Sequence, residues 1–298
     1  MTQTTAFKTP EGEAAYLAVY EDAMKSWPSP YEEREISTRF GVTHVVVTGP
    51  EDAPPLVLLH GYFGTLTMWS PNIADFSRDY RVYAIDVMGQ PGKSVPNPDE
   101  PIRDATEYVA WLSETLDGLN LDRVSLVGLS YGGWLALNFA VGAQERVSKL
   151  VLLSPAGSFQ PNVRQFNLRG MMLGLFPSHL AMNSFMGWMG FEDTPDETAT
   201  RRLLDLVYLG MKYFRIPPEI VRIMPRVFSD DELRALHVPV LLLIGEDEVM
   251  YDAAKVMSRA RGLIPNFEGE LVPGCNHDMY ASQHRIVNQR VLDFLNDN

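Results

Sequence analysis

The stretch VSLVGLSYGGWLALNFA, residues 124–140, has a serine between an apolar run and a run rich in small residues. The apolar run is typical of a strand buried on both faces, and the segment after Ser130 is long enough for a helix. Ser130 follows Gly128 and precedes Gly132, so a G-x-S-x-G pattern falls at a strand-to-helix turn. Bulky residues at the glycine positions would collide in that turn. We expect Ser130 to be a nucleophile, with an incidental turn serine as the alternative.

Short apolar runs bounded by Gly or Pro recur along the chain and predict further strands. They cover residues 43–49, 54–61, 80–89, 123–130, 146–155, 238–246 and 269–277. Helices are expected at 106–119, 131–144 and 283–297. Strands that alternate with helices predict an α/β fold with a mostly parallel sheet. The stretch 34–49 instead predicts an antiparallel pair, with a helix before it at 14–27.

The alternation stops between Gly157 and Asp231, where the chain is rich in Met, Phe and Leu. Helix-like stretches at 166–193 and 201–214 indicate an inserted helical block over the carboxyl edge of the sheet, where ligands bind. The apolar side chains either line a substrate pocket or only pack the block onto the core. The candidate pocket residues are Phe63, Met171, Phe185, Met186 and Trp188.

Composition excludes several classes of function. The chain has 25 Lys and Arg against 38 Asp and Glu, a net charge of −13, so neither nucleic acid nor an anionic membrane is an expected partner. No apolar run approaches the roughly 18 residues of a membrane span. The N-terminal residues are polar, so we expect no secretory signal, and the single Cys275 fits a reducing, cytoplasmic location. Oligomeric state leaves no signal in the sequence.

Two other segments carry groups that a serine nucleophile needs. The segment His60-Gly61-Tyr62-Phe63-Gly64 follows a predicted strand, and the backbone N–H of Tyr62 together with that of Tyr131 would form an oxyanion hole. His277 lies just after a late predicted strand and is a candidate general base. A structural histidine is the alternative for this position.

Five motifs follow one another along the chain: HGYFG (60–64), AIDVMGQPGKS (84–94), GLSYGG (128–133), LLLIGEDEV (241–249) and PGCNH (273–277). In this order they resemble the α/β-hydrolase family, and within it the capped serine carboxylesterases and related C–C hydrolases. The resemblance implies about eight strands flanked by helices, a helical cap after the sixth strand and no cofactor. No metal-ligand spacing is present in the sequence, so we expect no metal. We expect a core of residues 1–156 and 232–298 and a cap of residues 157–231.

The acid of the implied catalytic triad has two candidates. The resemblance places it three positions beyond Gly245, at Glu248, whereas residue type favours Asp247. We prefer Glu248, because the position in the loop fixes the direction of Cβ better than residue preference does. His277 would then take the proton of Ser130 while Glu248 holds the imidazole in place.

These observations predict a serine hydrolase that cleaves a small-molecule carboxylic ester through an acyl-enzyme, with a hydrophobic pocket under the cap. The same triad would serve a C–C bond hydrolase, a lactonase, a perhydrolase or a thioesterase, and a non-catalytic ligand-binding protein is a third hypothesis. Two features that resemble functional motifs are instead expected to have structural roles. Gly92-Lys93-Ser94 is no phosphate loop, because position 87 is Val and not Gly, and Cys275 is expected to pack.

Overall fold

The computed structural model describes residues 6–176, 178–191 and 197–297, and their strands form one sheet. The strands are β1 (Tyr31–Thr38), β2 (Gly41–Thr48), β3 (Pro55–Leu59), β4 (Arg81–Ile85), β5 (Val95–Pro96), β6 (Val124–Leu129), β7 (Val147–Leu153), β8 (Val240–Gly245) and β9 (Phe267–Val272). Eight of them lie side by side in the order β1-β2-β4-β3-β6-β7-β8-β9, and β5 pairs with β2.

The pairing is mixed at one end of the sheet and parallel over the rest. Strands β1, β4 and β5 pair with β2 antiparallel. The remaining neighbours, in the order β4-β3-β6-β7-β8-β9, all pair in parallel. This confirms the predicted mostly parallel α/β sheet. Strand β5 was not predicted, because two residues are too few to show any periodicity.

The helices are α1 (Pro10–Met24), α2 (Ser70–Asp79), α3 (Ala105–Gly118), α4 (Tyr131–Gly142), α5 (Arg164–Leu175), α6 (His179–Trp188), α7 (Glu197–Tyr213), α8 (Pro218–Val221), α9 (Asp230–Arg234), α10 (Ala253–Leu263), α11 (Met279–Ser282) and α12 (His284–Asn296). Helix α1 begins four residues before the predicted start at 14. The side chain of Thr9 accepts the N–H of Gly12, and Pro10 occupies the first turn, where its missing N–H costs nothing.

Helices α5 to α9 lie between β7 and β8, and we call residues 164–234 the insertion. Helix α1 packs against α7 of the insertion, and Arg202 Nε donates to Asp22 Oδ2 at 2.7 Å. Just outside the two helices, the rings of Phe7 and Phe214 lie 5.3 Å apart. The division into core and cap at residues 157 and 231 stays a prediction. Its second boundary falls inside α9.

The centre of the sheet is fully buried, which explains the uninterrupted apolar runs. Every residue of β6 and β8 is buried, as expected for parallel strands covered on both faces. Because β6 to β9 are parallel, their carboxyl ends meet at one edge of the sheet. The predicted nucleophile, acid and base all follow strands that end at this edge.

Candidate active site

Ser130 lies in the sharp turn between β6 and α4. Its φ of 53° and ψ of −115° place a non-glycine residue in the positive-φ region, which is costly and persists only where surrounding contacts enforce it. Here the Ser130 N–H donates to the Leu153 carbonyl at 2.9 Å, and the Ser130 carbonyl accepts the N–H of Ala156 at 3.0 Å. These bonds tie the strained turn to the end of β7.

The glycines around Ser130 are required by close backbone approach. A Cβ on Gly128 would lie 2.3 Å from the carbonyl oxygen of Gly132, and a Cβ on Gly132 would lie 2.2 Å from that of Leu59. Both distances are far below van der Waals contact. The structure therefore shows the steric reason for the glycine pattern around the serine.

His277 and Glu248 form a buried hydrogen-bonded pair beyond the ends of β8 and β9. Their Nδ1 and Oε2 atoms lie 2.8 Å apart, and their side chains are 4% and 0% exposed. Glu248 Oε1 also accepts the N–H of Met250 at 2.9 Å. Burial alone would raise the pKa of Glu248, but the charge and hydrogen bond of His277 outweigh it and lower that pKa. An ionised carboxylate only accepts, so Nδ1 is the donor in this pair, and Nε2 is left without a partner among the described residues.

The alternative acid, Asp247, has an exposed side chain, and its backbone N–H donates to the Cys275 carbonyl at 3.0 Å. Gly245 allows the acid loop to lie directly on the loop before His277, since a Cβ there would lie 2.2 Å from the Asn276 carbonyl oxygen. Of the two candidates, Glu248 is therefore the one whose carboxylate meets the imidazole.

The segment 60–64 lies against Ser130, because a Cβ on Gly61 would be 3.5 Å from Ser130 Cβ. Phe63 has a φ of 58°, and its N–H donates to Gln90 Oε1 at 3.1 Å, which fixes the bend. Among the described residues, neither the N–H of Tyr62 nor that of Tyr131 has a hydrogen-bond acceptor. Two backbone donors are thus left free beside the serine.

The structure joins His277 to Glu248 but does not join Ser130 to His277 by a hydrogen bond. No described residue makes a hydrogen bond to Ser130 Oγ or to His277 Nε2. Catalytic hydrogen bonds are commonly long before substrate binds and shorten in the reacting complex.

The five predicted pocket residues fall into different surroundings. Met186 is buried, while Phe63, Phe185 and Trp188 are half-buried. Phe185 lines a cavity of about 420 Å³ between α5 and α6. Met171 is 54% exposed and lines neither this cavity nor the one between α1, α7 and the α11–α12 region.

A second cavity of about 250 Å³ lies where α1, α7 and the α11–α12 region meet. Its apolar lining includes Met68, Phe191, Leu203 and Tyr280. None of the predicted pocket residues reaches it. Its lining comes from five separate parts of the chain, so no local pattern in the sequence could have indicated it.

Two polar residues at this edge were missed in the sequence. Gln90 fixes the N–H of Phe63, and Asn276 accepts the N–H groups of Val249 and His277. Gln90 lies within the motif 84–94, which was assigned to a structural turn, and Asn276 directly precedes His277. Proximity to the predicted residues was the only available signal.

The model of the alpha/beta hydrolase family matches residues 56–290 of the chain. Two relatives from Bacillus subtilis (strain 168) align over nearly its whole length. The relative named uncharacterized carboxylesterase nap is 38% identical over 281 residues, which cover 94% of this chain and 92% of the relative. The relative named carboxylesterase YbfK is 35% identical over 296 residues, covering 97% and 96%. The crystal structure of naproxen esterase (carboxylesterase NP) from Bacillus subtilis matches with a TM-score of 0.88 at 36% identity, covering 97% of this chain and 100% of that one.

Proposed function

The chain belongs to the alpha/beta hydrolase family, and we propose that it is a carboxylesterase whose catalytic triad is Ser130, His277 and Glu248. Carboxylesterase relatives at 35% and 38% identity over more than nine-tenths of the chain support a carboxylic ester hydrolase. The observation that carries the triad is the buried 2.8 Å hydrogen bond between His277 and Glu248 at the sheet edge where Ser130 occupies its strained turn.

In the first step, Ser130 Oγ attacks the carbonyl carbon of the ester, and its proton passes to His277 Nε2. The carboxylate of Glu248 stabilises the imidazolium that forms and keeps its Nδ1–H directed away from the serine. An unassisted serine hydroxyl is a weak nucleophile, so this transfer is the main contribution of the pair.

The negative charge that develops on the carbonyl oxygen needs fixed donors. The N–H groups of Tyr62 and Tyr131 are free to donate to it, and Tyr131 is the first residue of α4, where the helix dipole favours negative charge. Gln90 keeps the bend at Phe63 that presents the first donor. We propose these two N–H groups as the oxyanion hole.

Collapse of the tetrahedral intermediate breaks the bond to the alkoxy oxygen, which takes the proton from His277 Nε2 and leaves as the alcohol. A water molecule then attacks the acyl-enzyme, with the same nitrogen accepting its proton. Ser130 recovers its proton when the carboxylic acid leaves. Each proton taken by His277 is returned, so the cycle needs no cofactor.

We propose that the insertion acts as a cap and that the substrate is a small-molecule ester with an apolar part. The support is the half-buried aromatic side chains of Phe63, Phe185 and Trp188 and the buried Met186. Apolar, adaptable side chains suit acyl or alcohol groups of varied shape.

We also propose a cytoplasmic location, without nucleic acid or a membrane as partner. The support is the net charge of −13 and the single, buried Cys275. Within the described ranges, no helix is long and apolar enough to cross a bilayer.

The test is turnover of p-nitrophenyl esters of graded acyl length, alongside a β-diketone that reports C–C cleavage. We expect rapid release of p-nitrophenol from short and medium esters, and its loss in Ser130→Ala. Cleavage of the diketone without ester turnover would favour the C–C hydrolase instead. Ester turnover that survives in Ser130→Ala would contradict the assignment of the nucleophile.

A further inference from the structure

Asn276 directly precedes His277, and its side chain connects the two loops that carry the His277–Glu248 pair. The side-chain oxygen Oδ1 accepts the N–H of His277 at 2.8 Å and the N–H of Val249, next to Glu248, at 3.2 Å. One atom therefore holds the backbone beside the base and the backbone beside the acid.

The amide nitrogen of the same side chain reaches a third segment. Asn276 Nδ2 donates to the carbonyl of Trp188, the last residue of α6 in the insertion, at 3.2 Å. The orientation of the amide is unambiguous, because two N–H donors require its oxygen on one side and a carbonyl requires its nitrogen on the other.

The end of α6 rests closely on this loop. Gly190 has a φ of +99°, and a Cβ there would lie 2.5 Å from Asp278 Oδ1 and 2.8 Å from Asn276 Cβ. The backbone of the insertion thus touches the residues on both sides of His277.

We propose that Asn276 is a positioning residue through which the insertion sets the placement of His277, an inference that rests on the proposed function. With α6 seated, the Trp188 carbonyl holds the amide in the orientation that keeps Oδ1 on both N–H groups. With α6 displaced, the amide is free to rotate, and the acid and base loops lose their shared acceptor. Proton transfer from Ser130 is then efficient only when the insertion is closed onto the loop.

The first test is Asn276→Ala. We expect kcat on a small ester to fall roughly 10- to 100-fold at nearly constant KM, because small misplacements of a catalytic group cost that much. The rate of Ser130 labelling by a fluorophosphonate, per folded molecule, should fall in parallel. The far-downfield proton resonance of the His277 Nδ1–H should shift or broaden. If Asn276 only stabilises the two loops, Asn276→Ala would lower the melting temperature but leave the labelling rate and the resonance unchanged. That result would overturn the proposal.

The second test perturbs the contact from the side of the insertion and leaves Asn276 and the triad residues unsubstituted. Gly190→Ala places a methyl group against the loop and should lower kcat and broaden the same resonance. The matched control is Gly174→Ala in α5, where an added Cβ meets nothing within 4 Å, and it should behave as the wild type. If Gly190→Ala retains the wild-type labelling rate and resonance, the insertion does not set His277 and the proposal is wrong.

Failure of this inference is distinguishable from failure of the proposed function. A wild-type protein that neither turns over esters nor is labelled at Ser130 would refute the function. A wild-type protein that does both, with variants that match it, would refute only the role of Asn276. If Asn276→Ala does not fold, Gly190→Ala and its control decide the question.

Discussion

Among the residues that the structure describes, two buried histidine–carboxylate pairs can be compared, and their difference suits only one of them to the proposed catalytic role. His277 meets Glu248 at 2.8 Å, and His44 of β2 meets Asp86 at 3.0 Å, after the end of β4. Both imidazoles are at most 5% exposed, and both carboxylates are fully buried. The two pairs differ in what surrounds the other ring nitrogen, Nε2. Nε2 of His44 faces a second carboxylate, Glu33, at 2.8 Å, whereas Nε2 of His277 has no partner among the described residues.

Two carboxylates favour the protonated form of His44. Burial alone would lower the pKa of His44, but hydrogen bonds and charge from Asp86 and Glu33 outweigh burial and raise that pKa. With both nitrogens donating, the ring has no lone pair to accept a proton. Nε2 of His277 faces no second carboxylate among the described residues, so this nitrogen is open to accept a proton in the proposed mechanism. The chemistry of a buried histidine is therefore decided by what faces its second nitrogen.

The network around Asp86 joins distant segments of the fold. Its carboxylate accepts the hydroxyl of Tyr20 in α1 at 2.9 Å, the N–H of Leu66 at 3.0 Å and the N–H of Lys93 at 3.0 Å. Burial would raise the pKa of Asp86, yet the hydrogen bond and charge of His44 lower it. Both carboxylate oxygens accept hydrogen bonds, one on Oδ1 and three on Oδ2, which is the arrangement of a structural anchor.

Substituting the two histidines one at a time should give the largest difference in kcat. His277→Ala should lose about 10⁴-fold or more in kcat on a p-nitrophenyl ester, because under the proposed mechanism Ser130 loses its general base. His44→Gln should retain most of the wild-type kcat per folded molecule, with folding checked by circular dichroism at the assay temperature. Comparable losses of kcat in the two folded variants would erase the distinction drawn between the pairs.

Substituting Glu248 and Asp247 one at a time tests which of them is the acid of the proposed triad. Glu248→Gln should lower kcat by about 10³-fold, because an amide can also donate and favours the wrong tautomer of His277. Asp247→Asn, on an exposed side chain one residue earlier, should change kcat only mildly. Steady-state kinetics on one ester suffices, and the opposite ranking would transfer the role of the acid to Asp247.

Breaking the structural pair should affect stability and not catalysis. Asp86→Asn should lower the free energy of unfolding by about 3–5 kcal/mol, because it leaves the buried His44 without its main partner. Denaturant titration measures this loss, with Asp247→Asn as the exposed carboxylate control. A stability equal to that of the control would show that the network around Asp86 does not anchor the fold.

The pH dependence of stability is the smallest of these effects. Because the pKa of His44 is raised in the folded protein, its contribution to the free energy of unfolding is complete below the ordinary pKa of 6.5. That contribution is lost as pH rises through the pKa of the folded state. Asp86 and Glu33 have lowered pKa values, so their contributions are complete above the ordinary 3.8 and 4.5 and are lost as pH falls through the folded values. The stability difference between wild type and His44→Gln should therefore be greatest between about pH 4.5 and 6.5. Denaturant titrations across pH should show it shrinking at higher pH, and growth instead would contradict the raised pKa.

The features of the fold and site that were predictable from the sequence are those with a local signal. Ser130 was indicated by flanking glycines that the turn requires, and the register of Glu248 follows from its distance to Gly245. The anchor of His44 and Asp86 joins residues 42 positions apart, and the contact of Asn276 with Trp188 joins residues 88 positions apart. Neither leaves a periodic pattern. Met171 shows the same limit, because composition indicates an apolar residue without indicating which way its side chain faces.

The most direct test of the central claim is the site and rate of labelling by a fluorophosphonate, with the modified residue identified by peptide mass spectrometry. The contrast between the two pairs predicts a single label on Ser130 that forms rapidly in the wild type and in folded His44→Gln, and that is almost abolished in His277→Ala. A label on another residue, or unchanged labelling of Ser130 in His277→Ala, would contradict it.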